Sequence, residues 1–263
     1  ISFKKMKLKE ICKFYKIDWI SDSSNFNFIY ERPRIRDKLS FFSEKKLNFL
    51  DKELKKNKVE NENIEKKIAD FFIFNLKHNE NGSFEIDKKK FLTINQNIQI
   101  EILRKILRTC SSQIYLPCFN STKLILEKIK KYNTSKFTLH SCLIVLKNSQ
   151  IFFNRESKAT KNKMNMGLVV DIKKPNFWDN RFKIYSTKFK LKCELITEKN
   201  WLELKNNFSN RNNIPFEIIK SLPLIKFKNK KMIPFLTPNE EFEKQKIDFY
   251  FSPIIPLTKK NFF

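Results

Sequence analysis

Residues Trp19–Phe42, WISDSSNFNFIYERPRIRDKLSFF, pass from a polar bend through an aromatic run to three arginines at alternate positions. Asp22, Ser23, Ser24 and Asn25 can each bond their own backbone two residues on, so the stretch opens as a turn rather than inside a regular element. Phe26–Tyr30 forms the aromatic run, and Arg32, Arg34 and Arg36 follow. These are three of only eight arginines, the others being Arg104, Arg108, Arg155, Arg181 and Arg211, in a chain whose positive charge is otherwise lysine. A guanidinium is a planar fork of several donors and an ammonium is a point charge. Arginine kept against such a drift marks places where the fork matters, and phosphate is its obvious target. The competing reading is a solvated basic stripe beside a helix start, with Arg32 and Arg36 one turn apart. Residue types alone leave both open.

The charge balance points the same way. With 54 Lys+Arg against 28 Asp+Glu the formal charge is +26, and the pI is near 9.8, the footprint of a nucleic-acid partner. Coding bias toward Lys, Asn, Ile and Phe is the competing source of the lysines. A membrane is a poorer use of the charge, because no apolar run approaches the roughly 20 residues needed to span a bilayer. Lys4, Lys5, Lys7 and Lys9 interleave with apolar residues in no signal-peptide pattern, so a cytoplasmic protein is expected. Cys12, Cys110, Cys118, Cys142 and Cys193 are scattered and odd in number, and His78 and His140 have no second ligand type nearby. Neither zinc nor disulfides are expected, and the cysteines read as small buried side chains.

At 263 residues the chain can hold one large core or two smaller ones. Ser2 is a candidate N-cap for a helix carrying Leu8, Ile11, Phe14 and Tyr15. From Ser40 to Leu76 the period is helical, with Leu47, Leu50 and Leu54 on one stripe, Ile64, Ile68, Phe71, Phe72 and Leu76 on another, and a polar loop expected at Lys55–Asn63. Asn81-Gly82 signals a turn within a short hairpin or capping arm. Asn95–Cys110 and Ser121–Tyr132 read as helices separated by Pro117. Arg104 and Arg108 lie one turn apart on the first, and Lys123, Lys128, Lys130 and Lys131 face outward on the second. Period 2 then takes over: Phe137–Leu146 and Ile151–Arg155 are strands joined at Lys147–Gln150, with His140 inside the first. Ala159–Met166 reads as a lysine-rich surface loop. In Phe177-Trp178-Asp179-Asn180-Arg181-Phe182, Asp179 and Arg181 are spaced to pair on one strand face. Trp178 there either stacks on a base or anchors a strand start.

Trp19, Asp22, Ser24, Asn25, Tyr30, Arg32, Arg34, Ile35 and Arg36 stand as in the tRNA(Ile)-lysidine synthetases, which the stretch resembles. Their pattern there is Trp-x-x-Asp-Pro-Ser-Asn, a spacer ending in an aromatic, then Arg-x-Arg-Ile-Arg. Ser23 replaces the usual Pro, and Asn27 an Asp. Weaker likenesses follow: the two helices around Pro117, then Thr138-Leu139, Cys142-Leu143 and Arg155-Glu156, and the Trp178–Phe182 element. The resemblance implies an α+β chain: the tail of an α/β nucleotide-binding domain over 1–40, a helical tRNA-binding domain over 41–133, and a small mixed α/β C-terminal domain over 134–263. It implies a ligase that adenylates the wobble cytidine of an isoleucine tRNA with ATP (and Mg), whereupon lysine's amine displaces AMP.

Of that chemistry this sequence holds little. There is no Ser-Gly-Gly-x-Asp-Ser loop and no other glycine run that would let backbone amides cradle a phosphate; Gly82 and Gly167 are the only glycines. The chain is therefore expected to lack the front of its protein, to bind no ATP alone and to hold no catalytic residues. Its part is grip and positioning of tRNA by Asn25, Arg32, Arg34, Arg36, Arg104, Arg108, Lys128 and Lys131. The competing function is a basic, non-enzymatic RNA-binding or ribosome-associated protein.

Overall fold

The computed structural model describes residues 5–20, 22–208 and 214–258, with the backbone alone at Lys5, Ser23 and Phe26. Ser2 as a cap, and Arg211, lie outside the described residues. Two compact units divide the chain, Ile1–Glu62 and Asn63–Phe263.

The first unit holds α1 (Lys5–Phe14), a 3₁₀ turn (Ser23–Phe26), α2 (Glu31–Ser40) and the start of α3 (Glu44–Asn75). Asp22 caps the turn, its carboxylate accepting the Ser24 amide at 2.8 Å. Pro33 is third in α2, where its missing N–H would have had no intrahelical partner. It is the buried residue of that helix, whereas Phe14, Ile20, Ile29 and Phe41 are among the exposed apolar side chains. α3 corrects the loop expected at Lys55–Asn63, because the helix runs through it unbroken. The segment contains no Gly or Pro, and Asp51–Lys55 and Lys58–Glu62 pair one turn apart along it. Polar composition there signals a solvated helix face, not an interruption.

The second unit is α+β. In order it contains β1 (Leu76–His78), β2 (Phe84–Asp87), α4 (Lys88–Leu92), α5 (Gln96–Ser111), α6 (Phe119–Lys131), β3 (Ser135–Leu139), β4 (Cys142–Lys147) and β5 (Gln150–Arg155). Then come α7 (Ser157–Lys163), β6 (Leu168–Val170), β7 (Asn176–Trp178), β8 (Phe182–Ser186), β9 (Leu191–Leu195), α8 (Glu198–Leu204), α9 (Phe216–Ile219), β10 (Pro223–Phe227), β11 (Lys230–Met232), α10 (Asn239–Gln245) and β12 (Ile247–Phe251). The strands form three antiparallel sheets, ordered β1-β2-β5-β4-β3, β11-β10-β9-β6 and β12-β8-β7. The first sheet thus draws strands from both sides of residue 133.

Two cores sit within this unit. In one, Ile102, Leu103, Ile106 and Leu107 of α5 pack with Phe84 and Phe153 of the five-stranded sheet; in the other, Trp178, Phe182 and Ile184 pack with Leu224, Ile225 and Ile233. Each fully buried aliphatic contributes roughly 1.5–3 kcal/mol. Asn95 caps α5 through its side chain, as Asp87 caps α4.

Two expectations fail here for local reasons. His140 is not inside a strand: His140 and Ser141 have φ of 53° and 60°, forming the two-residue turn that pairs Leu139 with Cys142. Positive φ at both turn positions is usually the province of Asn and Gly, which the sequence lacks there. The loop expected at Ala159–Met166 is in part α7, whose Thr160 is buried.

Candidate nucleic-acid interface

In the first unit, α2 decides how the three arginines are displayed. At 100° per residue Arg32 and Arg36 fall within about 40° of each other, while Arg34 lies on the opposite side. All three are exposed, and none meets a carboxylate among the described residues. The structure brings Arg36 to Asn25, whose side-chain oxygen accepts from Nη1 at 3.3 Å, while Asn25 Nδ2 donates to the Asp22 carbonyl. Asn25 therefore orients Arg36 from the capped turn. Arg32 and Arg36 make a two-fork face, and Arg34 serves a different one.

In the second unit the predicted contacts separate sharply. Arg104 is occupied: Nε donates to the Pro117 carbonyl at 3.0 Å, and Nη1 pairs with Glu101. It ties α5 to the segment before α6. Arg108 is half-buried, and its Nε finds no acceptor among the described residues. Lys128 and Lys131 are exposed on α6, one over the Phe137 ring and the other over Tyr132, with ammonium-to-centroid distances of 5.3 and 5.4 Å. Lys123, Lys128, Lys130 and Lys131 pair with no carboxylate among the described residues. Basic groups beside aromatic rings, with no acid to neutralise them, suit a phosphate backbone.

Two other arginines, Arg155 and Arg181, are buried. Asp179, wholly buried, accepts from Arg155 Nε at 2.9 Å and Nη2 at 3.0 Å, from Arg181 Nε at 2.9 Å and from Thr160 Oγ1 at 3.2 Å. Lys163 Nζ stands 3.5 Å from it. Burial pushes the Asp179 carboxyl up, but Arg181, Arg155 and Lys163 together outweigh burial and hold it below the ordinary carboxylate range. The pairing of Asp179 with Arg181 is as expected, though on a turn: Asp179 and Asn180 both have positive φ, and the Arg181 amide closes back on the Trp178 carbonyl. Trp178 does not stack on a base. It is 0 % exposed and donates its indole N–H to the Ser221 carbonyl at 3.0 Å. Lys163, Thr160 and Ser141 gave no signal in sequence, since each depends on the fold to meet Asp179 or Arg155.

No protein-family model matches the chain. Curated proteins named tRNA(Ile)-lysidine synthase do. One from Rickettsia felis is 27% identical over 86% of this chain and 54% of its own length, and one from Rickettsia prowazekii is 29% identical over the same shares. A third, from Wolbachia sp. subsp. Brugia malayi, is 25% identical over 69% of this chain and 42% of its own. The chain is related to the tRNA(Ile)-lysidine synthases. It spans about half the length of the relatives it matches.

The two glycines are committed to packing. A Cβ on Gly82 would lie 2.8 Å from the Phe251 ring, and one on Gly167 would lie 2.7 Å from the Cys193 carbonyl oxygen. Each glycine amide is spent on a nearby carbonyl, Gly82 N on that of Asn79 at 2.8 Å and Gly167 N on that of Met164 at 2.9 Å. Among the described residues there is no group of three potential metal ligands and no helix long and apolar enough to cross a membrane.

Proposed function

We propose that this chain supplies tRNA-holding surface to a tRNA(Ile)-lysidine synthase, the ligase that joins lysine to the wobble cytidine of isoleucine tRNA using ATP. One observation carries the reading: the proteins that align over most of this chain are named for that tRNA. The charge of +26 supports it, as do the exposed Arg32–Arg36 face and the carboxylate-free lysines of α6. Adenylation of the cytidine and displacement of AMP by lysine's amine belong to groups outside these residues. What this chain does is neutralise backbone phosphates and fix the nucleotide's approach, and a reaction between two bound partners depends steeply on such positioning. The setting proposed is the cytoplasm.

A basic RNA-binding protein without enzymatic activity is the second reading, for which the charge of +26 suffices by itself. Binding of the 263-residue chain to isoleucine tRNA and to an unrelated tRNA, across a salt series, separates them. The ligase reading expects log K to fall linearly with log salt and a preference for isoleucine tRNA; equal affinity supports the alternative. No complex at about 10⁻⁶ M chain in low salt overturns both.

A further inference from the structure

We propose that the second unit has a built phosphate-binding pocket between the C-terminal end of α5, the β3–β4 turn and α7, in which Arg155 and Lys163 grip one phosphate group. The pocket is about 430 Å³, and Ser112, Gln113, Ser141, Arg155, Asn162 and Lys163 are among its lining residues, none of which is acidic.

Three observations bear on it. First, the cluster behind the wall is unbalanced: Arg155, Arg181 and Lys163 share the single carboxylate of Asp179. Two positive charges are left over in a region where Arg155 is 5 % exposed and Arg181 1 %. Buried charge without a counter-ion is costly, and an anion in the pocket supplies one. Second, the donors are in place. Arg155 spends Nε and one Nη2 hydrogen on Asp179 and one Nη1 hydrogen on the Ser141 carbonyl, leaving two of its five N–H groups. The Lys163 side chain is 36% exposed and reaches one carboxylate oxygen. Ser141 Oγ accepts from Gln113 Nε2, so its own proton is available. Burial, with Arg155 and Arg181 repelling it against the pull of Asp179, holds Lys163 below the ordinary lysine range, and a bound anion relieves that crowding.

Third, the feature that would repel an anion is muted. The C-terminus of α5 points its carbonyls this way, but the Arg108 carbonyl is bonded by Ser112 N, Gln113 N and Ser111 Oγ, and the Thr109 carbonyl by Ser112 N. A helix end carries about half a negative charge, against a surplus of two positive ones. The positive side wins.

A phosphate here comes either from an RNA backbone or from solution. The RNA source rests on the function proposed above; the pocket does not. Inorganic phosphate is titrated calorimetrically into the 263-residue chain at low ionic strength, and the salt slope of tRNA binding is measured in parallel. Lys163→Gln, Lys163→Arg and Asn162→Asp are compared with the parent, each checked by its thermal melt. Asn162 is exposed and outside the Asp179 cluster, so its variant keeps the test open if Lys163→Gln is poorly folded. Lys163→Gln and Asn162→Asp are expected to weaken phosphate about tenfold, with Lys163→Arg restoring it. A tRNA salt slope shallower by roughly 0.7–0.9 in the same variants identifies a backbone phosphate. Weakened phosphate with an unchanged tRNA slope assigns the pocket to the free ion. Weakened phosphate in a chain that binds no tRNA keeps the pocket and removes the function proposed above. Phosphate binding that is absent, or unchanged in Asn162→Asp and in folded Lys163→Gln, overturns the pocket while leaving tRNA holding to stand on α2 and α6.

Discussion

Asp179→Asn is the most informative single change in this fold. Oδ2 of Asp179 accepts from Arg155, Arg181 and Thr160, and Oδ1 accepts from Arg155 and lies 3.5 Å from Lys163. Asparagine keeps the shape but must turn its NH₂ toward one of those two groups, so either orientation sets donor against cation. Arg155 and Arg181 then remain buried without a counter-charge. Removing one partner of a buried ion pair costs about 3–5 kcal/mol, a large part of the roughly 5–15 kcal/mol that holds a domain folded. Thr160→Val is the calibrating partner, because it loses one hydrogen bond and no charge, for about 0.5–1.5 kcal/mol. Equilibrium urea unfolding followed by tryptophan fluorescence reads both, in a Trp19→Phe background so that Trp178 and Trp201 report the second unit. The pH dependence adds a signature. Because the folded carboxyl titrates below its unfolded value, its stabilisation is complete above about pH 4. It is lost as pH falls through the lower folded value, and Asp179→Asn abolishes that acid limb. A loss no larger than that of Thr160→Val, with the acid limb intact, would refute the idea that this carboxylate holds the cluster together.

Three further outcomes are expected. Arg32→Ala with Arg36→Ala should make the tRNA salt slope shallower by roughly 0.7–0.9 per arginine, whereas Arg34→Ala, on the other side of α2, should act independently of that pair; equal and interchangeable effects of all three would show that the helix face is irrelevant. His78 sits between the Phe84 and Phe251 rings, where burial holds its pKa down to about 4. Against an unfolded value near 6.5, stability should be full above about pH 6.5 and fall toward pH 4, by about 1–2 kcal/mol once screening of a half-buried ring is allowed for; His78→Phe should flatten that decline in a pH series of urea melts. Ile106→Ala, at a wholly buried position of α5, should cost about 2–5 kcal/mol in the same melts, and a loss under about 1 kcal/mol would mean that this core is not packed as described.

The parts of the fold legible in sequence are those whose signal is local. Asn95 before an apolar 3.6 period announces α5, and Asp22 with its serines announces a capped turn. Asn148-Ser149 between two apolar runs marks the β4–β5 hairpin. Hidden elements lack such signals. Lys55–Asn63 is polar because that part of α3 is solvated, and polarity alone does not distinguish helix from loop. The turn at His140-Ser141 takes its positive φ from the strands it joins and not from its own residue types. For the candidate interface, the scarcity of arginine was a sound clue to where forks are used, but it does not name the acceptor. Arg104 and Arg181 spend theirs inside the protein, on Glu101, Asp179 and the Pro117 and Ser221 carbonyls, and Arg155 spends three of its five N–H groups there, on Asp179 and the Ser141 carbonyl. Only the fold separates these from Arg32, Arg34 and Arg36, which stay exposed.

Ultraviolet cross-linking of isoleucine tRNA to the intact chain, followed by mass spectrometry of the attached peptides, tests the tRNA-holding surface most directly. Cross-links are expected in two places, the segment around Asn25, Arg32 and Arg36 and the α6 segment around Lys128, Lys131 and Tyr132. Cross-links absent from both segments in a chain that nevertheless binds the tRNA would contradict the account.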